Sequence, residues 1–262
     1  MAYNTLKFSK ENRIATITFD RPKSANGVNL EMTKELAAVA AACDVDEDIK
    51  AVIVTAEGRF FSAGGDLKAM LSEDKDFNPK AYIKGVADYL HRAVSIFARM
   101  DAPVIAAVNG VAAGAGFSFA VASDMAIAAK SAVFTMAYTA AGLSPDGSSS
   151  YYLPRLIGQR RAKELMLTNR KLPADEALEW GLVNAVVEDD QLQQEAKKLA
   201  ETFVAGSKRA YGDVKSLLLS SEDASLEAQM ELESRTIANA LVSEDGREGT
   251  SAFAEKRSPK FK

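Results

Sequence analysis

Apolar residues change their period repeatedly along the first half of this chain. Residues 14–19 are apolar at every second position or denser, the pattern of a strand. Leu30, Leu36, Val39 and Ala40 recur at helical spacing within 30–43. The run AVIVTA at 51–56 is short and β-branched, as in a strand buried on both faces. A long helix is predicted over 79–100, with Ile83, Val86, Leu90, Val94 and Phe97 on one stripe. Residues 104–108 and 125–129 read as two more strands. Such alternation predicts an α/β fold, with parallel strands and helices outside them. From Ser148 onward the pattern turns helical, over 148–157, 159–168, 173–180, 189–204, 207–220 and 224–240. A single short strand interrupts it near 184–187, and no linker, repeat or low-complexity tract divides the chain.

Composition narrows the function classes. A chain of 262 residues with 47% hydrophobic and 26% charged residues can bury a full core. The net charge is −4 and no basic stripe dominates, which argues against nucleic acid as a partner. A modest basic cluster occurs only near the end, at Lys256, Arg257, Lys260 and Lys262. Cys43 is the single cysteine and sits in an apolar run, so a buried thiol in a reducing, cytoplasmic setting is expected. One Cys and one His exclude the usual zinc ligand sets, and no bound metal is expected. Residues 1–12 are polar and lack the pattern of a secretory signal. No uninterrupted apolar run reaches the roughly 20 residues of a membrane span, so no membrane partner is expected. The longest uncharged stretch, 102–123, is interrupted by Pro103, Asn109 and three glycines, which suits a strand, a turn and a buried helix.

Two glycine-rich turns are candidates for chemistry. One is Ser62-Ala63-Gly64-Gly65-Asp66-Leu67; the other is Asn109-Gly110-Val111-Ala112-Ala113-Gly114-Ala115-Gly116. Glycine admits close backbone approach, and a helix start leaves N–H groups unpaired where negative charge is favoured. Two such turns aimed at one carbonyl oxygen would make an oxyanion hole, each donor supplying about 3–4 kcal/mol of barrier reduction. On spacing alone, tight turns and close helix–strand packing account for these glycines better than a ligand site does. A dinucleotide fingerprint is incomplete, because Phe119 stands where its third glycine belongs; this disfavours a nucleotide-dependent dehydrogenase. A phosphate-loop Gly-Lys-Ser/Thr and a Gly-x-Ser-x-Gly elbow are both missing.

The two turns resemble the paired signatures of the crotonase (enoyl-CoA hydratase/isomerase) superfamily. The similarity continues through Ala122-Ser123-Asp124-Met125-Ala126-Ile127-Ala128, Gly142-Leu143-Ser144-Pro145-Asp146-Gly147 and Ala177-Leu178-Glu179-Trp180-Gly181-Leu182-Val183. It ends in Arg247-Glu248-Gly249-Thr250-Ser251-Ala252-Phe253-Ala254-Glu255-Lys256-Arg257-Ser258-Pro259, so it covers nearly the whole chain. The resemblance implies a spiral of ββα units over 1–200 and a helical trimerisation region over 201–262, within one structural unit. It implies a homotrimer or dimer of trimers acting on a coenzyme A thioester, with no permanently bound cofactor. The Gly65 and Ala115 N–H groups are then the oxyanion donors. Coenzyme A lies near Lys23, Ala25, Ala63, Asp66 and Leu67, and Phe253 and Lys256 reach it from a neighbouring subunit.

Side chains select the reaction. The two glutamates of typical hydratases fall on Ser118 and Tyr138, and neither is a carboxylate base. Asp146 remains, in a Pro-Asp-Gly sequence that is also an ordinary turn. The stretch 142–147 is similar to ring-epoxide isomerases of phenylacetyl-CoA breakdown and to Δ3,Δ2-enoyl-CoA isomerases, which place a catalytic aspartate there. His91, on the helix 79–100, together with Asp146 resembles 4-chlorobenzoyl-CoA dehalogenase, although Gly65 and Leu90 occupy two of its aromatic positions. Isomerisation with Asp146 as acid/base is the leading expectation. Hydration, dehalogenation through Asp146 and His91, and a non-catalytic acyl-CoA binder are the alternatives. The acyl-pocket walls are expected from 70–97 and 134–152.

Overall fold

A computed structural model describes residues 3–71 and 75–262. The chain opens with β1 (Leu6–Glu11) and β2 (Ile14–Phe19), an antiparallel hairpin. Asn12 and Arg13 at its tip take positive φ (51° and 67°), the turn geometry that matches strand twist. α1 (Leu30–Val45) starts on Asn29, whose side chain accepts from the Met32 N–H.

Then the chain spirals. Its turns run β3 (Ala51–Ala56), β4 (Phe60–Ser62), α2 (Leu67–Met70) and α3 (Pro79–Arg99); β5 (Val104–Val108), β6 (Val111–Ala113) and α4 (Ala115–Ala122); then β7 (Met125–Ala129) and β8 (Val133–Thr135). The first strand of each turn joins a six-stranded sheet and the second a four-stranded one. α5 (Ser149–Ile157), α6 (Gln159–Thr168), β9 (Leu172–Pro173), α7 (Ala174–Glu179) and β10 (Ala185–Val187) close the two sheets. The larger has the order β1-β2-β3-β5-β7-β10, parallel from β2 onward; the smaller has the order β4-β6-β8-β9. This is the expected spiral of ββα units. α8 (Leu192–Ala205), α9 (Lys208–Ser221), α10 (Leu226–Val242) and α11 (Glu244–Ala254) complete the chain.

Strand β3 lacks polar alternation because both of its faces are covered. Val52 and Val54 enter the main core, while Ala51 and Ile53 meet Leu192, Ala196 and Ala200 of α8 on the other side. β5 and β7 divide their residues in the same way. Lys215 of α9 ties the helical region to this core. Its ammonium pairs with Asp124 at 2.7 Å and donates to the Phe97 and Ala102 carbonyls.

The strands that periodicity did not predict are short or one-sided. β4, β6 and β8 have three residues each, and β1 buries only Leu6. α11 also carries no long apolar stripe; Ser243 starts it by accepting from the Gly246 N–H. The long helix appears as predicted, begun by Asn78 and Pro79. Its buried stripe is Val86, Leu90, Val94 and Phe97, whereas Ile83 is only half-buried and faces a cavity.

Three glycines bring β4 and α4 together. A Cβ on Gly64 would lie 3.1 Å from the Ala113 carbonyl oxygen and 3.3 Å from the Gly114 Cα. A Cβ on Gly116 would stand 2.5 Å from the Ser62 Cβ and 2.9 Å from the Ser62 carbonyl. The two glycine turns therefore touch backbone to backbone, which no larger residue permits.

Gly116→Ala is expected to cost about 1–3 kcal/mol by overpacking, read from the denaturant midpoint. Gly85→Ala, in the middle of α3 with only ordinary contact to Leu30, is expected to be neutral or stabilising. Burial pushes the Cys43 thiol up to about 12. Cys43 is therefore expected to resist an aromatic disulfide reagent at pH 8 in the folded protein and to react at once in denaturant.

Candidate active site

The Gly64–Gly114 contact lies at one side of a cavity of ≈ 440 Å³, within the size range of small-molecule sites. Its walls include Val28, Met70, Ile83 and Leu143, with Lys80 and Lys84 of α3 also bordering it. Gly65, Ala115 and Asp146 all line it, as do Ala63, Leu67 and Tyr138.

The backbone explains why Gly65 has a free amide. Residues 63–66 run beside residues 25–28 as a short parallel pairing. The Ala63 N–H donates to the Ala25 carbonyl, Val28 N–H to the Gly64 carbonyl and Asp66 N–H to the Val28 carbonyl. In such a ladder alternate residues turn their amides the other way. Gly65 is the alternate residue, and its N–H has no protein acceptor among the described residues. Gly64 has φ of 94°, and its N–H is held by the Ser62 hydroxyl at 3.2 Å; that hydroxyl donates in turn to the Asn26 carbonyl.

Ala115 owes its free amide to its position as the first residue of α4, where the intrahelical acceptor is missing. Gly114 precedes it at φ 48° and donates to the Thr135 carbonyl, and its own carbonyl accepts from Ser118 N–H. The Ala115 N–H likewise has no protein acceptor among the described residues. The cavity is thus bordered by two backbone donors, one of them at a helix N-terminus, where an oxygen carrying negative charge is favoured.

Asp146 sits in the turn before α5. Its carbonyl accepts from the Ser149 N–H and hydroxyl, and Gly147 and Ser148 follow at φ 59° and 65°. The Pro-Asp-Gly turn is therefore real, and Asp146 still lines the cavity. Tyr138 donates to Asp146 Oδ1 at 2.5 Å, and its phenol oxygen is 3.0 Å from the Ser118 hydroxyl. Burial, and then the adjacent Asp146 charge, push the Tyr138 phenol above its ordinary range, so it stays protonated.

The remaining expected site residues lie elsewhere. His91 is exposed; its Nε2 accepts from the Gly147 N–H at 3.1 Å, and it borders a separate cleft of ≈ 470 Å³ with Ser148, Tyr151 and Tyr152. Asp66 does not line the cavity. It pairs with Arg21 at 2.9 Å and caps α2 through the Ala69 N–H. Lys23 is exposed on the short turn Pro22–Ser24, and Ala25 follows at φ 51°, beside Ala63. Phe253 is 88% exposed at the end of α11, with Lys256 beyond it, and neither borders the cavity. Sequence reasoning missed the Tyr138–Asp146 bond; the spacing of Tyr138 eight residues before Asp146 has no regular period that would signal contact.

The family model described as Enoyl-CoA hydratase/isomerase matches residues 9–262. The 1,2-epoxyphenylacetyl-CoA isomerase of Escherichia coli (strain K12) is 38% identical over 255 residues, covering 96% of this chain and 95% of that protein. A protein named 4-chlorobenzoyl coenzyme A dehalogenase-2, from an Arthrobacter species, is 35% identical over 228 residues, covering 86% of this chain and 81% of its own length. A crystal structure of an enoyl-CoA hydratase from Polaromonas sp. JS666 superimposes with a TM-score of 0.93 at 31% identity, covering 99% of this chain and all of that one. Two glycine turns in contact, free amides beside one cavity and this match along the chain lead to one conclusion: the protein belongs to the enoyl-CoA hydratase/isomerase family.

Proposed function

We propose that the protein isomerises an enoyl-CoA thioester, or a ring epoxide of an aryl-CoA thioester, through an enolate. One observation carries this reading: a carboxylate, Asp146, and two unpaired backbone N–H groups, of Gly65 and Ala115, border the same cavity. The isomerase named above, 38% identical, supports it.

For a 3-enoyl thioester, Asp146 takes a proton from C2. The C–H electron pair moves into the carbonyl, giving an enolate whose oxygen accepts from the Gly65 and Ala115 N–H groups. The enolate then collapses, C4 takes the proton back from Asp146, and the double bond moves to C2–C3. Atoms and charge balance with one acid/base group and no added reactant. Hydration asks for more, a carboxylate to activate water and a second to position it, and Ser118 and Tyr138 supply neither. Dehalogenation is the second reading, favoured by the Arthrobacter relative and by the closeness of His91 to the Asp146 turn. Against it, His91 Nε2 is already engaged by the Gly147 N–H.

Coenzyme A is assigned to the end of the cavity where Ala63 and Leu67 lie, with Lys23, Ala25 and Asp66 on the adjoining segments. Assembly as a trimer or dimer of trimers, with Phe253 and Lys256 serving a neighbouring subunit, is part of the same proposal. An apolar stripe on α10 supports it: Leu226, Met230, Ile237 and Leu241 are all more than half exposed in the single chain. No helix among the described residues is long and apolar enough to cross a membrane.

Asp146→Asn is expected to lower kcat by about 10²- to 10⁴-fold while KM for the thioester changes little. Unchanged turnover in that variant would remove Asp146 from the mechanism, and no turnover in the wild type would leave a pure acyl-CoA binder. Incubation with 3-enoyl-CoA, 2-enoyl-CoA and 4-chlorobenzoyl-CoA separates the reactions. Conversion of the first without hydration of the second is expected, and chloride release from the third would overturn the isomerase reading.

A further inference from the structure

The two side chains standing at the hydratase glutamate positions are hydrogen-bonded to each other, and one of them, Tyr138, is hydrogen-bonded to Asp146. Ser118 is fully buried, its hydroxyl lies 3.0 Å from the Tyr138 oxygen, and that oxygen lies 2.5 Å from Asp146 Oδ1. Counting hydrogens gives the chain a direction. An ionised carboxylate has no proton to donate, so the single phenol hydrogen goes to Asp146. Ser118 is then the donor to Tyr138. Burial and the Asp146 charge keep the phenol protonated, which preserves this order.

The turn bearing Asp146 is held at other points as well. The Gly147 N–H donates to His91 Nε2, and the Asp146 carbonyl accepts from Ser149. Gly147 packs closely on Ser118 and Leu90; a Cβ there would lie 2.8 Å from the Ser118 Cβ and 3.3 Å from Leu90 Cδ2. Ser118 therefore supports both Tyr138 and the aspartate turn. With Oδ1 engaged by Tyr138, Oδ2 is the carboxylate oxygen without a protein partner among the described residues. The other charged or titratable groups nearby are His91, on the Gly147 amide, and Lys80 and Lys84, which border the same cavity.

We propose that Tyr138 is a positioning residue, itself oriented by Ser118, that holds Asp146 Oδ1 and confines the transferred proton to Oδ2. The proposal rests on the reading of Asp146 as the acid/base group. A carboxylate fixed at one oxygen cannot rotate to present its proton to solvent. It takes the proton from one carbon and returns it to another before exchange. The relay gives a use to two positions that sequence comparison marks only as lacking their glutamates.

The test is isomerisation of 3-enoyl-CoA in deuterated water by the wild-type protein, Tyr138→Phe, Ser118→Ala and Asp146→Asn. Readouts are kcat, KM and the deuterium content of the 2-enoyl product by mass spectrometry, with thermal melts as a check on folding. Tyr138→Phe is expected to lower kcat roughly 10- to 100-fold, the loss of one hydrogen bond to a charged group, with KM nearly unchanged. Its product is expected to contain more deuterium than the wild-type product. Ser118→Ala is expected to move both quantities in the same direction by less. If Tyr138→Phe melts early, Ser118→Ala, which keeps the ring in place, decides the matter through the isotope readout. Wild-type kcat and wild-type deuterium content in both variants, with Asp146→Asn inactive, would overturn the relay and leave the isomerase reading intact. Full activity of Asp146→Asn would overturn both.

Discussion

The site depends on a contact between two backbones. Gly64 meets Gly114 at distances that a Cβ would crowd, and Gly116 meets Ser62 at distances that leave no room for one. Every other feature of the cavity is referred to this contact. It sets the pairing of 63–66 beside 25–28 next to the first turn of α4, and it brings two amides that the fold leaves unpaired to one cavity wall. Neither amide is free by accident. One belongs to the alternate residue of a parallel pairing and the other to the first residue of a helix. Both are consequences of regular backbone geometry, so the two N–H groups are set by the fold itself, and donors placed in advance are what stabilisation of developing charge requires.

Side chains then decide what a family scaffold does with these donors. Where hydratases of this family are expected to carry two carboxylates, this chain has a hydroxyl and a phenol. They form a neutral chain ending on Asp146, the one carboxylate that lines the cavity among the described residues. A single carboxylate suits removing and returning one proton, whereas activating and placing a water molecule calls for a second polar centre of comparable strength. His91 has a structural contact that its sequence position did not show. Its register invites a catalytic reading, yet its imidazole holds the backbone of the aspartate turn and borders another cleft.

Much of this was legible in the residues. The strands Ile14–Phe19, Ala51–Ala56, Val104–Val108 and Met125–Ala129 lie where the apolar pattern put them, the first by its near-alternation and the other three by the continuous runs that strands covered on both faces require. The long helix Pro79–Arg99 announced itself by its apolar stripe. Hidden from view were the three-residue strands of the smaller sheet, too short for any period to show, and α11, whose faces are mostly exposed.

The sequence by itself determined the alternating α/β order, the two glycine turns and the inventory of groups able to do chemistry, because periodicity and residue type are local properties. Tertiary structure alone decided which of those groups meet. It placed Gly65, Ala115 and Asp146 on one cavity, turned Ile83 from the core to the cavity wall, sent His91 to the neighbouring cleft and joined Ser118 to Asp146 through Tyr138. The physical reason is that these contacts cross between turns of the spiral. Hydrogen bonds and close packing at that range depend on ångström-scale placement of whole strands and helices, which no stretch of sequence specifies on its own.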